Sequence, residues 1–432
     1  MLPEQSEFLI RQAHVLTMDR ERGDLPNADL HVSGGRIAAV GASLAATGAE
    51  VIDGRDMIVL PGLVETHWHI WTTMLRSMAG DAAEHGYFPT SRTVGSFYRA
   101  ADMYVSARLA LAEAIDSGIT FVHDWCHNVR GPEYAEEALR ALRGSGIRAR
   151  FSYGTPTGHP DDQTIDLGDF RRLHQKWDRY SEGGRLNLGL AWRGVGSEAA
   201  RRDHAVAREL GLPVSVHVNN RRSSAGGIAA IAATGLLGPE VQLIHANWSS
   251  PEEINAVAAS GASLSLSPYT EMRIGFGFPM TGEYLAAGVP IGLSVDTTTL
   301  SGNADMFAIM KVIQNVENAR SLDEFRLTAR RVLELATIEG ARSMRLDAEI
   351  GSLTPGKRAD LIMVDTRHLN LAVLTDPAHM LVEAAQPSNV DTVMIDGRIL
   401  KRNGALTVVD VEAVVADARQ ALAGVRQRAG WW

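Results

Sequence analysis

Pro61-Gly62-Leu63-Val64-Glu65-Thr66-His67-Trp68-His69 follows directly on the apolar run 57–60. In a strand, residues i and i+2 face the same side, so His67 and His69 aim two imidazoles at one point. Neutral imidazole is a common ligand for a borderline ion such as Zn²⁺. With fourteen histidines in the chain, a His-x-His pair also arises by chance. The bland alternative is two surface histidines satisfied by hydrogen bonds.

Outward from Pro61, short apolar runs alternate with amphipathic stretches. Strands are predicted near 63, 119, 148, 186, 213, 242, 262 and 290. Helices are predicted over 106–117, 136–143, 197–210, 305–320 and 323–335, and one opens at Ser250-Pro251 with a capping residue and a first-position proline. Eight βα units in succession predict a closed parallel (β/α)8 TIM barrel, an α/β fold. An open doubly wound sheet would need a glycine-rich phosphate turn after its first strand, which is missing.

On either side of this region the rhythm is that of β structure. The runs 8–10, 14–16, 29–32 and 36–40, with the turn Ser33-Gly34-Gly35, read as strands and a hairpin. So do 361–364 and 392–395, with the turn Asp396-Gly397. Short strands need partners, and each end of the chain is the other's only supply. The expectation is a small composite β-sandwich from residues 1–60 and 346–409, a barrel over 61–345, and a C-terminal helix within 410–432 packed on the body. Trp431 and Trp432 have no reading.

Composition fits a globular protein, at 45% hydrophobic and 22% charged residues. The net charge of −9 speaks against a nucleic-acid partner. No run of about eighteen apolar residues marks a membrane span. The lone cysteine, Cys126, excludes an internal disulfide framework and suits a reducing compartment. With no leader pattern at the N-terminus, the expected location is cytoplasmic.

In such a barrel the carboxyl ends of the strands share one mouth. Strand one ends in His67 and His69, strand five in His217, strand six in His245 and strand eight in Asp296, each straight after an apolar run. Imidazoles with a carboxylate suit Zn²⁺, with Fe²⁺, Mn²⁺ and Co²⁺ as alternatives. Taken singly, His217 and His245 also read as buried structural histidines and Asp296 as a helix cap.

The opening nonapeptide resembles the first-strand motif of the amidohydrolase superfamily. Gly292-Leu293-Ser294-Val295-Asp296, followed by Ser301-Gly302-Asn303-Ala304-Asp305, resembles its last-strand motif, and 351–360 resembles the return to its β-sandwich. The match spans nearly the whole chain. It is nearest to the mononuclear branch of cytosine-type, guanine and S-adenosylhomocysteine deaminases and triazine hydrolases. The resemblance implies one divalent metal per chain on His67, His69, His217 and Asp296, with Zn²⁺ the first choice. It implies that His245 polarises the substrate and that Asp296 accepts a proton from the attacking water. It also implies a small-molecule substrate and a homo-oligomer.

Two departures shape the expectation. Strand four ends Leu190-Ala191-Trp192-Arg193, without the lysine that bridges two metals in binuclear branches. Asn220 stands three residues after His217, where the deaminases of this branch carry a glutamate. An amide orients but does not transfer a proton.

The chemistry then expected is hydrolysis of a C–N bond in a small, flat substrate: an amide, cyclic amide, urea-like group or amino-heterocycle. A Lewis-acid metal lowers the pKa of water from roughly 15.7 toward about 7, Asp296 takes the proton, and His245 binds the oxyanion or protonates the leaving group. Alternatives are a heterocycle deaminase with a recruited acid such as Glu271, C–Cl or C–S hydrolysis, a decarboxylase, and an inactive binding barrel. Trp71, Trp125, Trp192 and Trp248, with Trp68, sit at or after strand ends; an aromatic pocket and packing between barrel and loops are equal readings. His123 reads as a contact to the substrate or behind the ligands. Arg193 and Arg273 read as rim charges or as readers of a substrate carboxylate. The long segments 79–96 and 269–279 read as lids.

Overall fold

A strand whose every residue is apolar or small has no face to give to water, and it is stable only in a sheet covered on both sides. The eight strands after Pro61 meet the same condition through burial: nearly all their residues are buried, the polar Glu65, Arg148 and Arg150 included. The computed structural model describes residues 2–431. Five strands come first: β1 (Phe8–Leu16), β2 (Asp24–Ser33), β3 (Arg36–Gly41), β4 (Glu50–Asp53) and β5 (Met57–Pro61). The barrel strands follow: β6 (Leu63–Trp68), β7 (Ile119–Cys126), β8 (Arg148–Tyr153), β9 (Leu186–Trp192), β10 (Val214–Val218), β11 (Val241–His245), β12 (Ser263–Leu266) and β13 (Ile291–Leu293). These eight pair in parallel and in sequence order, with helices between them, and a bridge from Trp68 to Asp296 brings β13 back to β6.

The last strands are β14 (Leu361–Asp365), β15 (Val390–Ile395), β16 (Arg398–Arg402) and β17 (Ala405–Leu406). They join the first five in one nine-stranded sheet, ordered β17-β16-β15-β14-β5-β1-β2-β3 with β4 beside β1. Both chain ends do supply each other's partners. Hydrogen bonding nevertheless runs unbroken through the β5–β14 junction, where Leu361 lies opposite Pro61, so the two halves of the expected sandwich are one continuous sheet. Alternation sorts its faces. Val59, Leu361 and Met363 enter a core of their own, whereas Ile58, Leu60, Ile362 and Val364 join the core of the barrel.

Several expected boundaries move for local reasons. The runs 8–10 and 14–16 are one strand, bent at irregular pairing where Gln12 takes φ 58°. The helix expected at 106 begins at Ala100, because the Asp102 carboxylate accepts the Arg99 N–H at 2.7 Å. The helix expected over 323–335 covers only Ala329–Leu335, capped by the Thr328 hydroxyl. The C-terminal helix, Val411–Ala429, lies along Ala100–Asp116, tied by Arg108 to Asp417 at 2.7 Å and by Arg428 to Asp102. Trp431 sits beneath the Arg426 guanidinium, while Trp432 lies outside the described residues.

At the floor of the barrel, Arg148 opens β8 and enters the sheet of chain ends. Its guanidinium, buried, donates to Asp360 Oδ2 at 2.6 Å and Oδ1 at 3.1 Å and to Asp396 Oδ1 at 3.3 Å. Arg358 reaches the same Asp396 oxygen at 3.0 Å. Burial opposes the charge, and the two carboxylates outweigh it, holding Arg148 above the ordinary guanidinium range. Arg148→Ala leaves the buried Asp360 carboxylate without a cation and weakens the hold on Asp396, and it is expected to lower stability by about 3–5 kcal/mol. A denaturant midpoint equal to wild type would show that the anchor is dispensable.

Candidate metal centre and its cavity

Each strand that ends in a donor does so at the barrel mouth, and the backbone there is unusual. Asn219, His245 and Asp296, just past or at the ends of β10, β11 and β13, have φ of 47°, 70° and 61°. Non-glycine residues seldom take this left-handed conformation, and where they do they mark sites that hold a side chain in a set direction.

His67, His69, His217 and Asp296 come together, with one donor atom from each lying within 4.8 Å of all the others. Asp296 Oδ1 is 3.2 Å from His67 Nε2 and 3.3 Å from His69 Nε2, and His217 Nε2 is 3.2 Å from His67 Nε2. A tetrahedron with 2.0–2.1 Å bonds to nitrogen and oxygen has edges of about 3.3–3.4 Å. The donor atoms are therefore already spaced for one ion. His69 Nδ1–H donates to the Trp125 carbonyl at 3.1 Å, which leaves the Nε2 lone pair directed at the group. Burial, reinforced by the neighbouring imidazoles, holds His67, His69 and His217 well below the usual histidine range, so all three are neutral donors. The chemistry of the set fits one divalent ion, and among the described residues no other group of this kind occurs. No lysine lies on β9.

Beneath the donors, Glu65 is fully buried. Its Oε1 accepts the N–H of His67 at 2.9 Å and of Val295 at 3.1 Å. Burial raises its carboxyl to about 8 despite these bonds, so at neutral pH this side chain is largely an uncharged acid.

His245 stands beside the group. Its Nδ1–H donates to Glu271 Oε1 at 3.1 Å, and its Nε2 lies 3.9 Å from Asp296 Oδ2. Burial pulls this histidine down, but the bond to Glu271 and the charges of Asp296 and Glu271 win and raise it. Glu271 is fixed in turn by the Ser267 N–H at 2.8 Å.

His69, His217, His245 and Asp296 floor a cavity of about 190 Å³. Its walls include Trp125, His127, Tyr87, Phe88, Ile274 and Phe276, and Asn220 borders it. Trp125 presents its edge to His217 at 4.4 Å between ring centres. Asn220 Oδ1 accepts from Ser224 Oγ at 3.0 Å. The segments expected as lids do supply walls: Tyr87 and Phe88 belong to the helix Tyr87–Gly95, and Ile274 and Phe276 follow the helix Pro268–Arg273.

Other expected contacts lie elsewhere. Trp192 is buried against His204 and donates to the Ala200 carbonyl at 2.6 Å. Trp71 stands behind the wall, donating to His127 Nδ1 at 3.3 Å. Trp248 borders a separate hollow and donates to the Phe276 carbonyl at 2.5 Å. His123 spends both ring nitrogens, on the Thr66 carbonyl and on Ser152 Oγ, each at 2.8 Å. Arg193 is bound to Asp203 at 3.1 Å and to two carbonyls, and Arg273 faces Asp81 at 3.4 Å. None of these six side chains lines the cavity. Tyr87, Phe88, Ile274 and Phe276 sit at the ends of short helices or just past them, where apolar side chains carry no sustained period to mark them in the sequence.

Comparison with known proteins agrees with this geometry. A family model described as the amidohydrolase family matches residues 58–400. A 5′-deoxyadenosine deaminase of Methanosarcina acetivorans is 29% identical over 96% of this chain and 98% of its own length. A 5-methylthioadenosine/S-adenosylhomocysteine deaminase of Acetivibrio thermocellus is 27% identical, again over 96% and 98%. Among solved structures, an adenosine deaminase from Xanthomonas campestris with bound zinc superposes with a TM-score of 0.87 at 23% identity, covering 98% of this chain and 100% of that one. An atrazine chlorohydrolase from Arthrobacter aurescens complexed with zinc gives 0.83 at 23% identity, covering 96% and 100%. At such identities the two structures speak for the fold.

Elemental analysis of the purified protein is expected to find about one equivalent of a divalent ion per chain. His217→Ala is expected to bring it close to zero while the far-ultraviolet dichroism is kept. Two tightly held ions per chain would contradict a single centre.

Proposed function

This chain belongs to the amidohydrolase family, and from that premise we propose that it is a Zn²⁺-dependent hydrolase that breaks a carbon–nitrogen bond in a flat nitrogen heterocycle. The observation that carries the reading is the cluster of His67, His69, His217 and Asp296, the last three of which line the floor of an aromatic-walled cavity with His67 buried directly behind them. At about 190 Å³ that cavity is smaller than the roughly 300–1,000 Å³ of drug-sized sites, which suits one ring system with short substituents.

His67, His69 and His217 with Asp296 would hold the ion. When bound, the ion supplies Lewis acidity, which makes water a competent nucleophile near neutral pH. Asp296 receives the proton that water gives up as its oxygen attacks the ring carbon. His245, oriented by Glu271, has Nε2 free on the cavity side to stabilise negative charge on the substrate or to pass a proton to the departing nitrogen. The new C–O bond forms, the C–N bond breaks, and nitrogen leaves as an amine. Trp125, Phe88 and Phe276 sandwich the ring and keep bulk water out.

Two substrate readings remain distinct. Full-length relatives named as deaminases favour a ring with an exocyclic amine and ammonia as the product. Asn220 favours a cyclic amide: beside the cavity it offers an amide whose oxygen is already engaged by Ser224, leaving Nδ2 to donate to a ring carbonyl. The lone buried Cys126 supports a cytoplasmic setting, and the family resemblance supports a homo-oligomer.

A panel of amino-purines, amino-pyrimidines and cyclic amides, followed for ammonia and for ring-opened acid, separates the two readings. Inactivity of the zinc-loaded protein on every C–N substrate of the panel would count against both. Asp296→Asn is expected to reduce turnover by at least about 10²-fold. Wild-type turnover with the metal retained would place the proton acceptor elsewhere. Asn220→Glu is expected to slow cyclic-amide hydrolysis, since it adds negative charge and a competing ligand beside the centre. Faster ammonia release by that variant would favour deamination.

A further inference from the structure

One cation, stacked on two rings of the cavity wall, has no neutralising partner among the described residues. Arg221, directly after Asn220, lies with its guanidinium carbon 4.9 Å from the centre of the Phe88 ring and 5.2 Å from that of Phe276. Both rings line the cavity, and Arg221 is exposed, which puts it at the mouth. Stacking uses the flat face of a guanidinium and leaves its five N–H donors in the plane. Among the described residues, no acceptor hydrogen-bonds the Arg221 side chain and no carboxylate pairs with it.

Its neighbours behave differently. Arg193 and Arg273, the two arginines that the sequence offered as readers of a substrate anion, each already face an aspartate. Arg222 stacks on Trp248, over the adjoining hollow, 4.9 Å from the ring centre and likewise without a carboxylate. An unpaired guanidinium thus stands at the mouth of the cavity, with a second over the adjoining hollow, in a protein whose net charge is −9. A planar fork of free donors held in place by two aromatic rings is suited to bidentate recognition of a carboxylate or phosphate.

We propose that Arg221 binds an anionic group, a carboxylate or a phosphate, carried on the substrate's outward-facing substituent while the ring occupies the cavity. This rests on the heterocycle reading above and narrows it to anionic heterocycles. Because Phe88 and Phe276 come from the two wall segments, the same contact would also draw both segments over the bound ring.

Four benzimidazole probes, whose ring carries neither an exocyclic amine nor a ring carbonyl, test the proposal by calorimetry on the zinc-loaded protein. They are benzimidazole and its 5-acetamide, 5-acetate and 5-methylphosphonate derivatives. At low salt the acetate or the phosphonate is expected to bind at least on the order of tenfold more tightly than the acetamide. Added salt should weaken that preference. Arg221→Gln should bring the ratio close to one, and Arg221→Lys should keep part of it. The stronger of the two anions identifies the chemistry of the group. Equal binding of charged and neutral derivatives by the wild-type protein, or a preference that persists in Arg221→Gln, would overturn the proposal and leave the heterocycle reading standing. Failure of all four rings to bind would overturn the heterocycle reading and this proposal with it.

Discussion

Everything at the barrel mouth depends on how β6 meets β13. Elsewhere in the barrel adjacent strands share a ladder of several pairs, but this junction is a single bridge. His67 accepts the Asp296 N–H at 2.9 Å, and Asp296 accepts the His69 N–H at 2.6 Å. Glu65 Oε1 takes an N–H from each strand, and Thr66 donates to the Leu293 carbonyl at 2.9 Å. The fit is close: a Cβ added at Gly292 would lie 2.3 Å from Thr66 Cγ2. Closing the barrel and bringing His67, His69 and Asp296 together are therefore one event. A chain that failed to close at this seam would lose three of the four clustered donors at once.

The same seam explains what could be read from the sequence. His67, His69, His217, His245 and Asp296 were legible because each terminates an apolar run, and in a closed parallel sheet the end of a run is a position in space. The tryptophans show where that logic stops. Trp125 and Trp192 both end strands, yet Trp125 faces the cavity and Trp192 the packing layer by Ala200 and His204. An isolated aromatic does not say which side of the strand its ring will take. His123 also follows an apolar run, but β7 continues three residues past it, and its nitrogens meet backbone and Ser152 instead of ligand. Tyr87, Phe88 and Phe276 come from segments whose length alone was informative. The kink at Gln12 was hidden because it depends on the neighbouring strand and not on local composition.

Electrostatics sort the groups of the site by role. Desolvation keeps the clustered imidazoles neutral, as donors require, while Glu271 opposes it at His245 alone. Burial pushes His127, which also borders the cavity, down to about 4 despite the Trp125 carbonyl and the charge of Asp296. One residue type thus serves two purposes within one cavity, and the difference is the placement of a single buried acid.

The sheet built from both chain ends has a consequence for synthesis. β5 and β14 are hydrogen-bonded neighbours, yet Pro61 and Leu361 are separated by about 300 residues of chain. At translation rates of roughly 5–20 residues per second, β14 leaves the ribosome some 15–60 s after β5. During that interval the apolar stretch Ile58, Val59 and Leu60 keeps one backbone edge open, the kind of template on which nascent chains associate. The barrel sequence emerges meanwhile, so β5, made before the barrel, has its second edge sealed only after it.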